Sequence, residues 1–497
     1  MFLFSFPVQA RATVACIITL SVLCVVSPTL QAADNQKVWS FNNTVTTAQK
    51  NDPWLTGNKH QQQAVEALSN AASSLPDPKM SVAFANLPTD GFDFSQEGMT
   101  QLKVGITQMF PRGDSLTIKN QQLRIQSEAY PFQRSDREAK VAVTVGSLWL
   151  DAYYVQQSII LIEQNRSLFE QLADVAQASY SSTLGKTRQQ DIVRAQLELT
   201  QLDNRLDILA QQQNAYIGML SQWLSTAFLN DPTQVNIAEL GQLQHMKLAK
   251  QLPQLDLLHT SLSHASAARS NVDSTALSSK GLSNTGMNNN AWLSVEELTE
   301  QFVKHPAVMA LDKKILATKT GINLAEQAYQ PEWGINASYG YRDDDPSGNN
   351  RADLFSVGVT FDLPLFTDNR QDMTVKSAVS ATEAVKTEKI LLLRQLLGAF
   401  SSAQGRLSRL NNRKILYQTR LLPQIHDQAE ASLTAYTNDD GDFSEVVRSR
   451  IAELNAEIEQ LKIAVEQQKI ILELNYLFVG SLAMNNTQQT FAPREEK

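Results

Sequence analysis

The side chains most able to act together lie in two short glycine-containing segments. The first, STLGKTRQQDIVR (182–194), carries Gly185, Lys186, Arg188, Asp191 and Arg194. The second, YTNDDGDFSEVVR (436–448), carries Asp439, Asp440, Gly441, Asp442, Glu445 and Arg448. A glycine between two helical runs permits the left-handed backbone that a tight reversal needs. Acids just beyond the reversal can cap the next helix and complement its dipole. Repeated by symmetry around a pore, the same acids would instead form rings of like charge that favour cations. Both readings fit these residues.

No catalytic constellation accompanies them. The six histidines (His60, His245, His259, His264, His305, His426) do not sit at metal-ligand spacing near carboxylates, and no glycine-rich phosphate loop follows a strand. No enzyme activity, cofactor or metal site is therefore expected. Met80, Met99 and Met109 lie near apolar alternating segments, where lipid-facing or loop apolar roles outweigh soft-metal contacts. The net charge of −8 gives no basic face for nucleic acid.

Residues 1–33 read as a signal peptide, with Arg11 ahead of the apolar run 12–26 and small residues at Ala32 and Ala33. Both cysteines, Cys16 and Cys24, fall inside it. An exported chain is expected.

The elements that must position the two charged segments are repeated. VGITQMFP (104–111) returns as VGVTFDLP (357–364), an offset of 253. Pro78 and Pro331 keep the same offset, as do Pro53 and Pro306; DIVR (191–194) and EVVR (445–448) lie 254 apart. Matches in one order at one offset predict a tandem of two units. The first spans 34–230, with strands at about 78–89 and 100–111 and long helices at about 113–184 and 187–229. The second spans 291–480, with strands at about 331–342 and 353–364 and helices at about 369–437 and 443–479. Between them, 231–290 is a connecting segment with a Ser/Asn-rich insertion at 261–290, expected to be flexible; 481–497 is a tail. Pro131 and Pro423 should kink or restart their helices.

The strands alternate strictly. Met80, Val82 and Phe84, or Phe355, Val357, Val359 and Phe361, leave small or polar residues such as Ser81, Gly105, Asn336 and Gly358 on the other face. Two faces suited to two solvents suggest a membrane β-barrel. Four strands cannot close one, and hydrocarbon does not tolerate open sheet edges. Two chains would give eight strands with a filled interior; three would give twelve and a water-filled lumen. A soluble sandwich with helical arms is the alternative.

This organisation, with NDPWL (51–55), LPDPKM (75–80), the VGITQMFP/VGVTFDLP pair and YTNDDGDFSEVV (436–447), resembles the outer-membrane efflux protein (TolC) family over most of the chain. The resemblance implies a mainly α fold with a small β part. It also implies a homotrimer whose 12-stranded barrel sits in outer-membrane lipid and continues as a periplasmic α-helical barrel. The implied function is an exit duct for an inner-membrane RND-type pump, reached through a periplasmic adaptor. LPDP and GDFSEVV lean toward the branch that exports heavy-metal cations; drug efflux and type I protein secretion are the alternatives. The family's closing aspartates match Glu445 and, one turn on, Arg448, so a purely acidic double ring is not expected. Across the mouth, Lys186 and Arg188 are expected to face Asp439, Asp440 and Asp442.

Overall fold

A computed structural model describes residues 38–181, 188–226, 241, 243, 246–257, 295–438 and 440–480. The expected leader, the insertion 261–290, the tail 481–497, and the site residues Gly185, Lys186 and Asp439 lie outside the described residues.

A short parallel pair, β1 (Val38–Trp39) with β4 (Lys247–Leu248), flanks a helical start made of α1 (Phe41–Lys50) and α2 (Pro53–Ala72). The hairpin β2 (Lys79–Ala85) and β3 (Gln101–Phe110) follows, then α3 (Ser115–Ser127), α4 (Ala129–Ser181) and α5 (Gln189–Leu224). After α6 (Val295–Val303) and α7 (Pro306–Glu326), β5 (Trp333–Tyr341) and β6 (Leu354–Phe361) form a second hairpin. The chain then runs through α8 (Gln371–Leu416), a π-helical turn (Tyr417–Leu421), α9 (Leu422–Thr437) and α10 (Phe443–Leu477). The helix expected from about 113 is divided at Glu128, ahead of Pro131. Among the described residues no helix is long and apolar enough to cross a membrane.

The motifs around Pro53 and Pro306 have one structural job. Each proline is the first residue of its helix, where its missing N–H is not needed, and the residue before it caps the helix. Asp52 accepts from the Trp54 amide at 3.1 Å, and His305 Nδ1 from the Ala307 amide at 3.2 Å. Both caps also reach across the fold. Asp52 pairs with Arg137 of α4 at 2.7 Å, and that guanidinium lies between the rings of Trp54 and Trp223. His305 is fully buried, with Nε2 3.2 Å from the Tyr476 carbonyl; burial pulls its pKa down. The Tyr476 hydroxyl donates to Asp136 at 2.8 Å.

Helix α10 joins the core clusters. Val465 and Leu472 pack with Trp149, Leu150 and Tyr153 of α4 and with the α5 end. Ile463, Ile470 and Leu477 pack instead with Phe302 and Phe400 of α6 and α8. Both sets step by seven residues, so one helix offers two heptad seams. Gly146 lets α1 and α10 close on α4: a Cβ there would lie 2.8 Å from Leu472 and 3.0 Å from the Phe41 ring.

Candidate functional site

The sheet has the order β2-β3-β5-β6 and is antiparallel throughout. Residues opposite one another share a face, so the register sorts its side chains into rows. One row is Val82, Val104, Tyr339 and Phe355; the next is Met80, Ile106, Ala337 and Val357. Further rows hold Ile335 with Val359, and Phe110, Trp333 and Phe361. Aromatics gather toward the two ends and aliphatics between them. The face runs about 26 Å from Trp333 to Tyr341, at about 3.3 Å per residue. It is uncovered: Met80 is 73% exposed, Phe84 65% and Phe355 72%. Gln108 also falls on this face, where β2 has ended, and its amide donates to the Pro76 carbonyl at 2.8 Å.

The opposite face is small and polar. Ser81, Gly105, Ser338 and Ser356 form one row; Lys79, Thr107, Asn336 and Gly358 form another. The four residues read as inward-facing from sequence, Ser81, Gly105, Asn336 and Gly358, therefore fall in two adjacent rows of one face. The side chains of Ser81 and Asn336 lie over Gly105 and Gly358, in space a Cβ would fill. The outer edges of β2 and β6 have no strand partner among the described residues.

Each end of the sheet is tied by arginine. At the loop end, Arg342 donates to the Gly98 carbonyl at 3.1 Å, and Arg351 to those of Ser95 and Glu97 at 3.3 Å. These contacts hold loops 86–100 and 342–353 together. Asp345 accepts from the Asn349 side chain and from the amides of Asn349 and Ser347, which holds its carboxyl below the usual range. At the helix end, Arg112 pairs with Asp362 and donates to the Gln330 carbonyl at 2.9 Å.

The charged helical turns use their acids as caps. Asp442 accepts from the Ser444 amide at 3.2 Å and its hydroxyl at 3.0 Å, at the start of α10. Asp191 is buried and accepts from the Arg188 amide at 2.8 Å. Glu445 pairs with Arg448 at 2.7 Å, both exposed. Among the described residues no ion pair joins 188–194 to 436–448; Lys186 and Asp439, two of the charges expected to face each other across the mouth, lie outside them. Arg194 is exposed one turn beyond Asp191.

Gly441 corrects its sequence reading. Its φ is not positive, and among the described residues of this reversal none is left-handed. A Cβ would instead lie 2.7 Å from the Tyr436 amide nitrogen and 2.9 Å from the Ala435 carbonyl carbon, so glycine is required by close backbone approach. Asp440 donates its amide to the Ala435 carbonyl at 2.9 Å, and the Tyr436 and Phe443 rings meet edge-on at 5.5 Å.

Sequence reading had not singled out Lys79, Arg342, Arg351 or the His305–Tyr476–Asp136 network as site residues. The parity of the strands could have placed Lys79; the others join residues more than 150 positions apart or reach into loops, where no periodicity operates.

No family model matches the sequence, and no curated protein matches it. Solved structures do match. CusC, a transmembrane channel, aligns over 90% of this chain and 92% of its own at 13% identity and TM-score 0.63. The Campylobacter jejuni outer-membrane channel CmeC aligns over 91% and 89% at 11% identity and TM-score 0.66. The open state of the Neisseria gonorrhoeae outer-membrane channel MtrE aligns over 88% of both chains at 12% identity and TM-score 0.62. At these identities the likeness is one of fold. The chain has the mainly helical, TolC-like channel fold that the sequence resemblance implied.

Proposed function

We propose that this chain is the outer-membrane exit duct of a tripartite efflux system and works as a homotrimer. The observation that carries the reading is the sheet: an uncovered apolar face, a small polar face behind it, and two unpaired edges. In lipid those edges must be closed, and only further copies of the chain can supply strands of the same kind. Three copies give twelve strands and a wet lumen lined by the serine, asparagine and glycine rows. Loops 86–100 and 342–353 then face outside, and the turns near 188 and 441 lie in the periplasm. There the duct would meet a periplasmic adaptor and, through it, an inner-membrane RND-type pump.

At the periplasmic end Asp442 and Asp191 cap helices, which leaves Asp440 and the Glu445–Arg448 pair to be repeated around the axis. Lys186 and Asp439 belong to the same mouth, together with Arg188 and Arg194. The purified oligomer is expected to conduct ions in planar bilayers. Asp440→Asn with Asp442→Asn is expected to raise its conductance, and Glu445→Gln to weaken cation preference with less change in opening. An intact oligomer that never conducts would contradict the duct. A conducting one unchanged by these variants would make the acids caps and docking contacts.

A further inference from the structure

The four strands contain two charged residues, Lys79 and Lys103, and no acid. Both belong to the small, polar face. Lys79 shares its row with Thr107, Asn336 and Gly358; Lys103 shares its row with Ala83, Gly340 and Leu354. The row between them is Ser81, Gly105, Ser338 and Ser356. The lysine rows are thus four residues apart along a strand, about 13 Å. Both lysines are exposed, and neither forms an ion pair among the described residues. Their row neighbours carry hydroxyl, amide or apolar groups, none able to balance an ammonium charge.

The charge at the loop end of this face has the opposite sign. Loops 86–100 and 342–353 carry Asp90, Asp93, Glu97, Asp343, Asp344, Asp345 and Asp353 against Arg342 and Arg351. The helical turns are nearly balanced, with Asp191, Asp439, Asp440, Asp442 and Glu445 against Lys186, Arg188, Arg194 and Arg448. Both loop arginines are engaged with backbone carbonyls, where they hold the loops together. A positive section therefore adjoins one acidic end.

Resting on the duct reading, we propose that Lys79 and Lys103 line the barrel as a two-tier cationic belt. The belt favours anionic solutes, so the cargo suited to the barrel section is an organic anion and not a bare metal cation. In a trimer each tier is repeated three times around the lumen. At about 0.1 M salt the screening length is about 10 Å, so each tier acts on solutes near the wall; at 1 M, with about 3 Å, it nearly vanishes.

Ser338 lies in the row between the tiers and gives a local probe. A Ser338→Cys variant, with Cys16 and Cys24 changed to alanine, would be reacted as the purified trimer with an anionic methanethiosulfonate (sulfonatoethyl) and a cationic one (trimethylammonioethyl). Adding Lys79→Gln and Lys103→Gln is expected to lower the anionic-to-cationic rate ratio about threefold at 0.1 M salt, and much less at 1 M. Comparing the two backgrounds cancels the effect of the loops and turns. An unchanged ratio in a channel that reacts with both reagents would overturn the belt and leave the duct standing. A trimer that reacts with neither reagent would show a dry inner face, overturning the duct and the belt together.

Discussion

The hairpin of α4 and α5 and the run from α8 to α10 are closed by different chemistry. In the first, Val155, Ile162, Phe169 and Ala176 step by seven along α4 and meet Ala195, Leu202 and Leu209 on α5, which also step by seven. A heptad seam over residues 155–176 of this 53-residue helix is the spacing of a left-handed coiled coil. The second begins alike, with Leu396, Phe400, Ala403, Leu407 and Leu410 buried. Charge then takes over. Arg406 pairs with Glu473, and Arg413 with Glu459 at 2.7 Å. At Tyr417–Leu421 the helix loosens to a π turn just ahead of Pro423, whose missing amide hydrogen an α-helix would have used.

Beyond that turn, α9 buries Ala429 alone. It is held to α10 by the Tyr436–Phe443 ring contact, by His426–Glu453 at 2.6 Å and by Arg450, which reaches Glu430 at 2.6 Å and Glu453 at 2.8 Å. The Glu453 hydrogen bond raises the His426 pKa, and burial raises that of Glu457 beside it. Apolar seams resist opening through the area they bury, whereas ion pairs with an exposed partner, as His426 and Glu430 are, contribute only about 0–1 kcal/mol each. One hairpin is a strut. The other carries a break near the end where a duct would open, and local opening concentrates where buried apolar contacts are few.

The largest effect should follow from attacking the strut. Phe169 is 4% exposed in the heptad seam. Phe169→Ala should lower stability by about 3–5 kcal/mol, read as a fall in the thermal midpoint of the oligomer by circular dichroism. A loss under about 1 kcal/mol would show that the seam does not hold that hairpin. A smaller effect sharpens the contrast. Amide hydrogens at 418–424 should exchange about tenfold faster than those at 158–168, by hydrogen-exchange mass spectrometry, a difference of about 1.4 kcal/mol in opening free energy. Pro423→Ala, which restores a donor, should narrow that gap. Equal exchange in both segments would remove the break from the account.

The sequence made some of this legible and hid the rest for physical reasons. Strand parity is local, so Met80, Val82 and Phe84 declare their face without knowledge of the partner strand. Heptad steps such as 155, 162, 169 and 176 are local too. Pro423 signals a break, but that the break takes π form depends on hydrogen bonds five residues apart. Asp52 before Pro53 is readable as a cap, whereas its ion pair with Arg137 joins positions 85 apart. Gly441 announces a turn, and the reason glycine is needed there lies in backbone proximity that only the folded hairpin creates.

The central claim is that the apolar sheet is one third of a closed barrel in lipid. Its most direct test is cross-linking between the two unpaired edges. Cysteine at Val82 on β2 would be paired in turn with cysteine at each position from 355 to 359 on β6, with Cys16 and Cys24 replaced, and the membranes oxidised. The account predicts that at least one pairing, in the register of the closed barrel, gives a covalent species of three chains and nothing larger. Cross-linking that stops at two chains, or that continues past three into longer ladders, would contradict it.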